Sequence, residues 1–177
     1  MNAAHTIWYC TFGLTLIAAW TDLRHRRIPN WLTIPGIFAG VALNSYLRGW
    51  HGTKASLEGA GLALLVLLPL VLLRALGAGD WKLMGAVGAF LGPILLPFVL
   101  VGSIFVAGAM AVVQMIRTRK VIETFCNLAI LVQGFFSFGL RVNPDISLDN
   151  PVLMKLPFGV AVAGGTLICI CAARWGL

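Results

Sequence analysis

Between Leu83 and Ile116 the chain runs for 34 residues without a charged side chain. As one unbroken helix that stretch would be roughly 50 Å long, against the roughly 30 Å hydrocarbon core of a bilayer. A helix that is apolar on every side must be surrounded by apolar partners or by lipid. The pattern recurs along the sequence. Residues 1–21 hold no Asp, Glu, Lys or Arg, a second uncharged run covers 28–47, and a third begins at Leu57 with Glu58 as its single charge. Only 11% of the 177 residues are charged and 59% are hydrophobic, under half the charge of an ordinary soluble domain. Disorder and a water-soluble globule are both excluded.

These runs predict an all-α integral membrane protein, a single domain over 1–177. Its expected architecture is a six-transmembrane-helix bundle with spans at about 4–21, 30–47, 57–76, 81–92, 95–116 and 156–174. Gly92-Pro93 and Pro97 divide the longest run. No positive start precedes the first run and no small-residue cleavage site follows it, so it reads as a retained helix, not a signal peptide. Before the last span, Val121, Phe125, Leu128, Val132 and Phe135 recur at helical spacing. They predict an amphipathic cytoplasmic surface helix over 121–140. A seventh span through 124–140 is the competing reading.

The net charge of +7 comes from 13 Lys plus Arg against 6 Asp plus Glu. In six-span topology Arg24, Arg26, Arg27, Arg74, Lys82, Arg117, Arg119, Lys120, Arg141 and Lys155 share one side, leaving Arg48, Lys54 and Arg174 on the other. Positive residues concentrate on the cytoplasmic side, so both termini are expected outside. The basic balance therefore records orientation and needs no nucleic-acid partner.

That topology places Asp22 at the cytoplasmic end of the first helix and Asp80 at the cytoplasmic start of the fourth. Acids near a membrane interior are costly and usually face a wet cavity with a task. Two close carboxylates cannot both ionise cheaply, so one keeps a proton and the pair titrates as a unit. Such a pair supplies a base for water and an acid for a leaving nitrogen. The plainer readings are a helix cap for Asp80 and a pairing of Asp22 with Arg24 or Arg26.

The flanking residues favour the first reading. Asp22 stands in Trp20-Thr21-Asp22-Leu23-Arg24-His25-Arg26-Arg27-Ile28-Pro29-Asn30, and Asp80 in Gly77-Ala78-Gly79-Asp80-Trp81-Lys82-Leu83. Together they resemble the GxGD intramembrane aspartic proteases, most closely the type IV prepilin peptidases. In that family one Asp follows helix 1 ahead of an Ile-Pro-Asn segment, and the other opens helix 4 in a Gly-x-Gly-Asp-x-Lys-Leu segment. The resemblance implies catalytic Asp22 and Asp80 and an inner-membrane endopeptidase that removes a prepilin's basic leader on the cytoplasmic side. The prepilin is the implied partner, together with membrane lipids. Gly77 and Gly79 would let a substrate backbone approach and permit unusual backbone angles. Lys82 would support the acid pair, or snorkel to the interface. Leu156-Pro157-Phe158-Gly159 resembles a Pro-aromatic-Gly segment of the family, which implies substrate positioning by Pro157, Phe158 and Gly159, although Pro157 also suits a first helical turn. Asn30 reads as a helix cap.

Larger members of that family carry a cytoplasmic methyltransferase insert after helix 1. Here Asp22 to Pro29 leaves no room for one, which points to the short branch serving Flp (tight-adherence) pili. Cys10, Cys126, Cys169 and Cys171 form no C-x-x-C pair, and His5, His25 and His51 are scattered, so neither metal nor cofactor is expected. Asp145 and Asp149 lie in an Asn/Pro-rich stretch suited to turns. The pairs Gly36/Gly40 and Gly88/Gly92 have the spacing of close helix contacts, and most Trp residues fall near span ends as interfacial anchors. A non-enzymatic alternative is a small ion-coupled transporter in which the same acids carry protons.

Overall fold

A computed structural model describes residues 3–118 and 157–174. They form four helices: α1 (Ala3–His25), α2 (Asn30–Leu72), α3 (Ala78–Thr118) and α4 (Phe158–Arg174). This corrects the expected six-span bundle. Two of the four, Asn30–Leu72 and Ala78–Arg117, are long and apolar enough to cross a membrane. The chain joins what the hydropathy pattern separates. Residues 48–56 carry Arg48 and Lys54, but both side chains are compatible with a helix. Only Gly49 leaves helical angles, at φ +60°. In α3 only Gly92 does so, at φ +74° next to Pro93. Glycine reaches these angles without a steric penalty, so one residue replaces each expected loop. The segment expected to form a surface helix, 121–140, lies outside the described residues.

Both long helices are bent at these points. Ser45 and Thr53 share a hydroxyl–hydroxyl hydrogen bond of 2.6 Å, although eight residues of straight helix would separate them by about 12 Å. The arms of α2 therefore fold back on each other at Gly49. In α3, Pro93 has no N–H to offer the Ala89 carbonyl. Buried Asn44 of α2 supplies the donor: its Nδ2 lies 3.1 Å from Ala89 O and 2.9 Å from Phe90 O. In an apolar interior an unpaired carbonyl costs several kcal/mol, so this side chain secures the bend.

The core forms around the first arm of α3, where every residue from Leu83 to Gly92 is buried. Leu67 and Ala63 of α2, Ala18 of α1 and Val162 of α4 complete it. Lipid is as apolar as leucine, so close packing decides helix association here more than transfer from water does. Small residues provide it. A Cβ on Gly40 would lie 2.9 Å from backbone atoms of Ala89 and Phe90, and Gly59 and Gly88 meet backbone to backbone. Gly88 and Gly40 are thus contact residues, as their spacing predicted. Phe38, Trp50, Leu65, Ile94, Phe98 and Phe105 instead point outward and are exposed. A surface this apolar suits lipid far better than water.

Candidate active site

The C-terminal end of α1 meets the beginnings of α2, α3 and α4, and both singled-out aspartates lie there. Asp22 occupies the last turn of α1 and is 6% exposed. Its Oδ2 accepts a 2.8 Å hydrogen bond from the backbone amide of Gly159. That amide belongs to the first turn of α4, where N–H groups have no partner within the helix. A Cβ on Gly159 would stand 3.0 Å from Ala18 O and 3.2 Å from Ala19 Cα, so the bare glycine lets α4 start directly against α1. The C-terminal end of α1 disfavours a negative charge, and the positive start of α4 compensates. The plainer reading, a pairing of Asp22 with Arg24 or Arg26, is not what the described residues show: the partner of its Oδ2 is the Gly159 amide.

Asp80 lies in the first turn of α3, half-buried, where the helix dipole favours a carboxylate. Its side chain turns back over Gly77: a Cβ there would lie 2.9 Å from Asp80 Oδ2, and the Gly77 backbone hydrogen-bonds the carboxylate. Trp81 N donates to Gly77 O at 3.0 Å, and Trp81 Nε1 donates to Leu64 O at 2.8 Å, fixing this turn against α2. Gly77 and Gly79 contribute space instead of unusual angles, since the positive-φ glycines among the described residues are Gly49 and Gly92.

The two sequence segments interlock. A Cβ on Gly79 would lie 3.0 Å from Ile28 O and 3.3 Å from Ile28 Cβ, so the first turn of α3 rests on the chain entering α2. Three residues on, Lys82 Nζ donates to Asn30 Oδ1 at 3.0 Å. Asn30 is therefore not the expected side-chain cap. Extended Pro29 takes the capping position with no side-chain bond, and its carbonyl accepts from Leu32 N at 3.1 Å.

A cavity of about 560 Å³ opens beside Asp22, between the end of α1, the C-terminal part of α3 and Pro157. Asp22 and Pro157 line it, whereas Asp80, Lys82, Phe158 and Gly159 do not. Phe158 packs against the core. Sequence reasoning missed two features here. One is the amide role of Gly159, which no side-chain pattern could announce. The other is Arg26, which lines the cavity with φ +50°. Among the described residues no three His, Cys, Asp or Glu side chains are grouped to hold a metal ion.

The fold and site define a class: helical membrane proteins that gather two acids from separate helices at one end of the bundle. Within it the chain belongs to the type IV leader peptidase family, whose sequence model matches residues 9–112. The match takes in both aspartates and ends before α4. Membership makes the chain a leader peptidase in general terms, with a prepilin as the substrate the family implies. No curated protein and no solved structure gives a match.

Proposed function

We propose that the chain is an aspartic endopeptidase that cleaves a prepilin leader with water activated between Asp22 and Asp80. The observation carrying this reading is the convergence of the two acids at one end of the bundle: Asp22 ends α1 against the start of α4, and Asp80 lies in the turn of α3 that rests on Ile28, just after α1. Each carboxylate has a backbone partner, Gly159 for Asp22 and Gly77 for Asp80, so access separates them: Asp22 borders the open cavity and Asp80 does not, and we assign the base to Asp22. It takes a proton from water as the oxygen adds to the scissile carbonyl. Asp80 keeps its proton and gives it to the departing amine as the C–N bond breaks. The products are a leader carboxylate and a new amino terminus, and transfer of the proton from Asp22 to Asp80 resets the pair. Positioned acid–base catalysis of this kind contributes about 10²–10⁴-fold.

The site is assigned to the cytoplasmic face of a bacterial inner membrane, because Arg24, Arg26, Arg27, Arg74 and Lys82 flank the two acids in sequence. The four residues between α1 and α2 leave no room for a methyltransferase insert, which supports the Flp branch. Lys82 and Asn30 position the turn bearing Asp80, while Pro157 helps to set the start of α4, whose Gly159 amide meets Asp22. The test is co-expression of a Flp-type prepilin with the wild-type chain, Asp22→Asn or Asp80→Asn. Both variants are expected to leave the precursor full length. Near-normal cleavage by either one overturns the paired-acid mechanism.

A further inference from the structure

The cavity beside Asp22 has walls of two kinds. Val106, Ala109, Met110 and Val113 present an apolar face of α3, whereas the polar lining is the Asp22 carboxylate, the Gln114 amide and two guanidinium groups, Arg26 and Arg117, which outnumber the one acid. Along α3, Val106 to Arg117 spans about 16 Å. Neither arginine pairs with a carboxylate among the described residues, and both are exposed. Two positive heads beside an apolar trough complement an amphiphile with an anionic head. A purely apolar helix in the same place would leave both guanidinium groups without a partner.

Arg26 and Arg74 are the two non-glycine residues at positive φ among the described residues, and Arg26 is the one that lines the cavity. It terminates α1 at φ +50°, with its N–H bonded to Asp22 O at 2.7 Å. That left-handed position after a helix is ordinarily glycine's, because a Cβ is strained there. The chain carries the strain at a residue whose side chain lines the cavity. A glycine would end the helix more easily and lose the guanidinium.

We propose that this cavity binds an anionic phospholipid, its phosphate held by Arg26 and Arg117 and one acyl chain lying along Val106, Ala109, Met110 and Val113. Guanidinium groups match phosphate oxygens through paired N–H donors, and basic pockets between membrane helices are suited to lipid headgroups. This site is independent of which aspartate acts as base.

Spin-labelled phosphatidylglycerol and phosphatidylcholine, each added to the full chain in phosphatidylcholine nanodiscs, test the proposal by the fraction of label immobilised. The wild type is expected to prefer phosphatidylglycerol. Arg26→Gly and Arg117→Gln should each reduce that preference about fivefold, the contribution of one basic residue at a membrane surface. Arg26→Gly is informative because it relaxes the backbone while deleting the side chain, so loss of preference with unchanged or raised thermal stability excludes misfolding. Inorganic phosphate should displace little of the label, since it lacks the acyl chain. Equal immobilisation of the two lipids, variants that keep the preference, or full displacement by inorganic phosphate would each overturn the proposal.

Discussion

The backbone amide of Gly159 donates a 2.8 Å hydrogen bond to Oδ2 of Asp22, across 137 positions of sequence. It joins the start of α4 to the end of α1 and makes the last helix part of the acid site. A hydrogen bond to a charged group is worth about 1.5–3 kcal/mol.

Gly159→Ala tests that bond. The added methyl would lie 3.0 Å from the Ala18 carbonyl oxygen, which is backbone and yields little. The start of α4 is expected to move away from α1 and the amide to leave Asp22. Cleavage of a prepilin in proteoliposomes should fall about 10- to 100-fold, the rate equivalent of that bond. An unchanged rate would show that Asp22 does not depend on α4.

The bridge from Lys82 to Asn30 gives a second test. It lies at the exposed rim, so Lys82→Met or Asn30→Ala should change stability by less than about 1 kcal/mol. Each should nevertheless slow cleavage by loosening the turn that holds Asp80. If the bridge is the cause, the double variant is no slower than the worse single variant. Rate losses that multiply would assign the two residues separate roles.

The acids were legible because they stand in two short segments whose partners are also there: Gly79 rests on Ile28, and Lys82 reaches Asn30. The family followed from the same residues. The helix count was not legible. Hydropathy marks where apolar residues stop, but it does not distinguish a polar loop from a helix that bends at one glycine, as at Gly49 and Gly92. Backbone donors leave no trace in side-chain pattern, which hid the role of Gly159. Asn44 was missed for a related reason: its importance comes from a proton that Pro93 lacks, on a helix distant in sequence.

Asn44 therefore offers a third prediction. Asn44→Leu removes the donor facing Ala89 O and Phe90 O and should destabilise the protein by about 1–3 kcal/mol. Asn44→Asp should cost more, because it sets an acceptor against two acceptors in a buried place. Thermal unfolding in detergent gives the ranking, and equal stability of all three proteins would mean that the bend does not need the side chain.

The final prediction separates glycines that look alike in sequence. Gly61 and Gly88 both lie in helices, but a Cβ on Gly61 meets nothing within 4 Å, whereas one on Gly88 would collide with the Gly59 carbonyl. Gly61→Ala should be neutral or stabilising by up to about 1 kcal/mol, the propensity difference in a helix interior. Gly88→Ala must push α2 from the first arm of α3, because neither backbone can rotate aside as a side chain can. A loss of about 1–3 kcal/mol is the ordinary cost of overpacking, and Gly88 belongs at its upper end. The same displacement carries the turn holding Asp80 away from Leu64 and Ile28. Gly88→Ala should accordingly lose cleavage along with stability, while Gly61→Ala keeps both. Equal melting temperatures for the two variants would show that close α2–α3 contact is not what holds the site together.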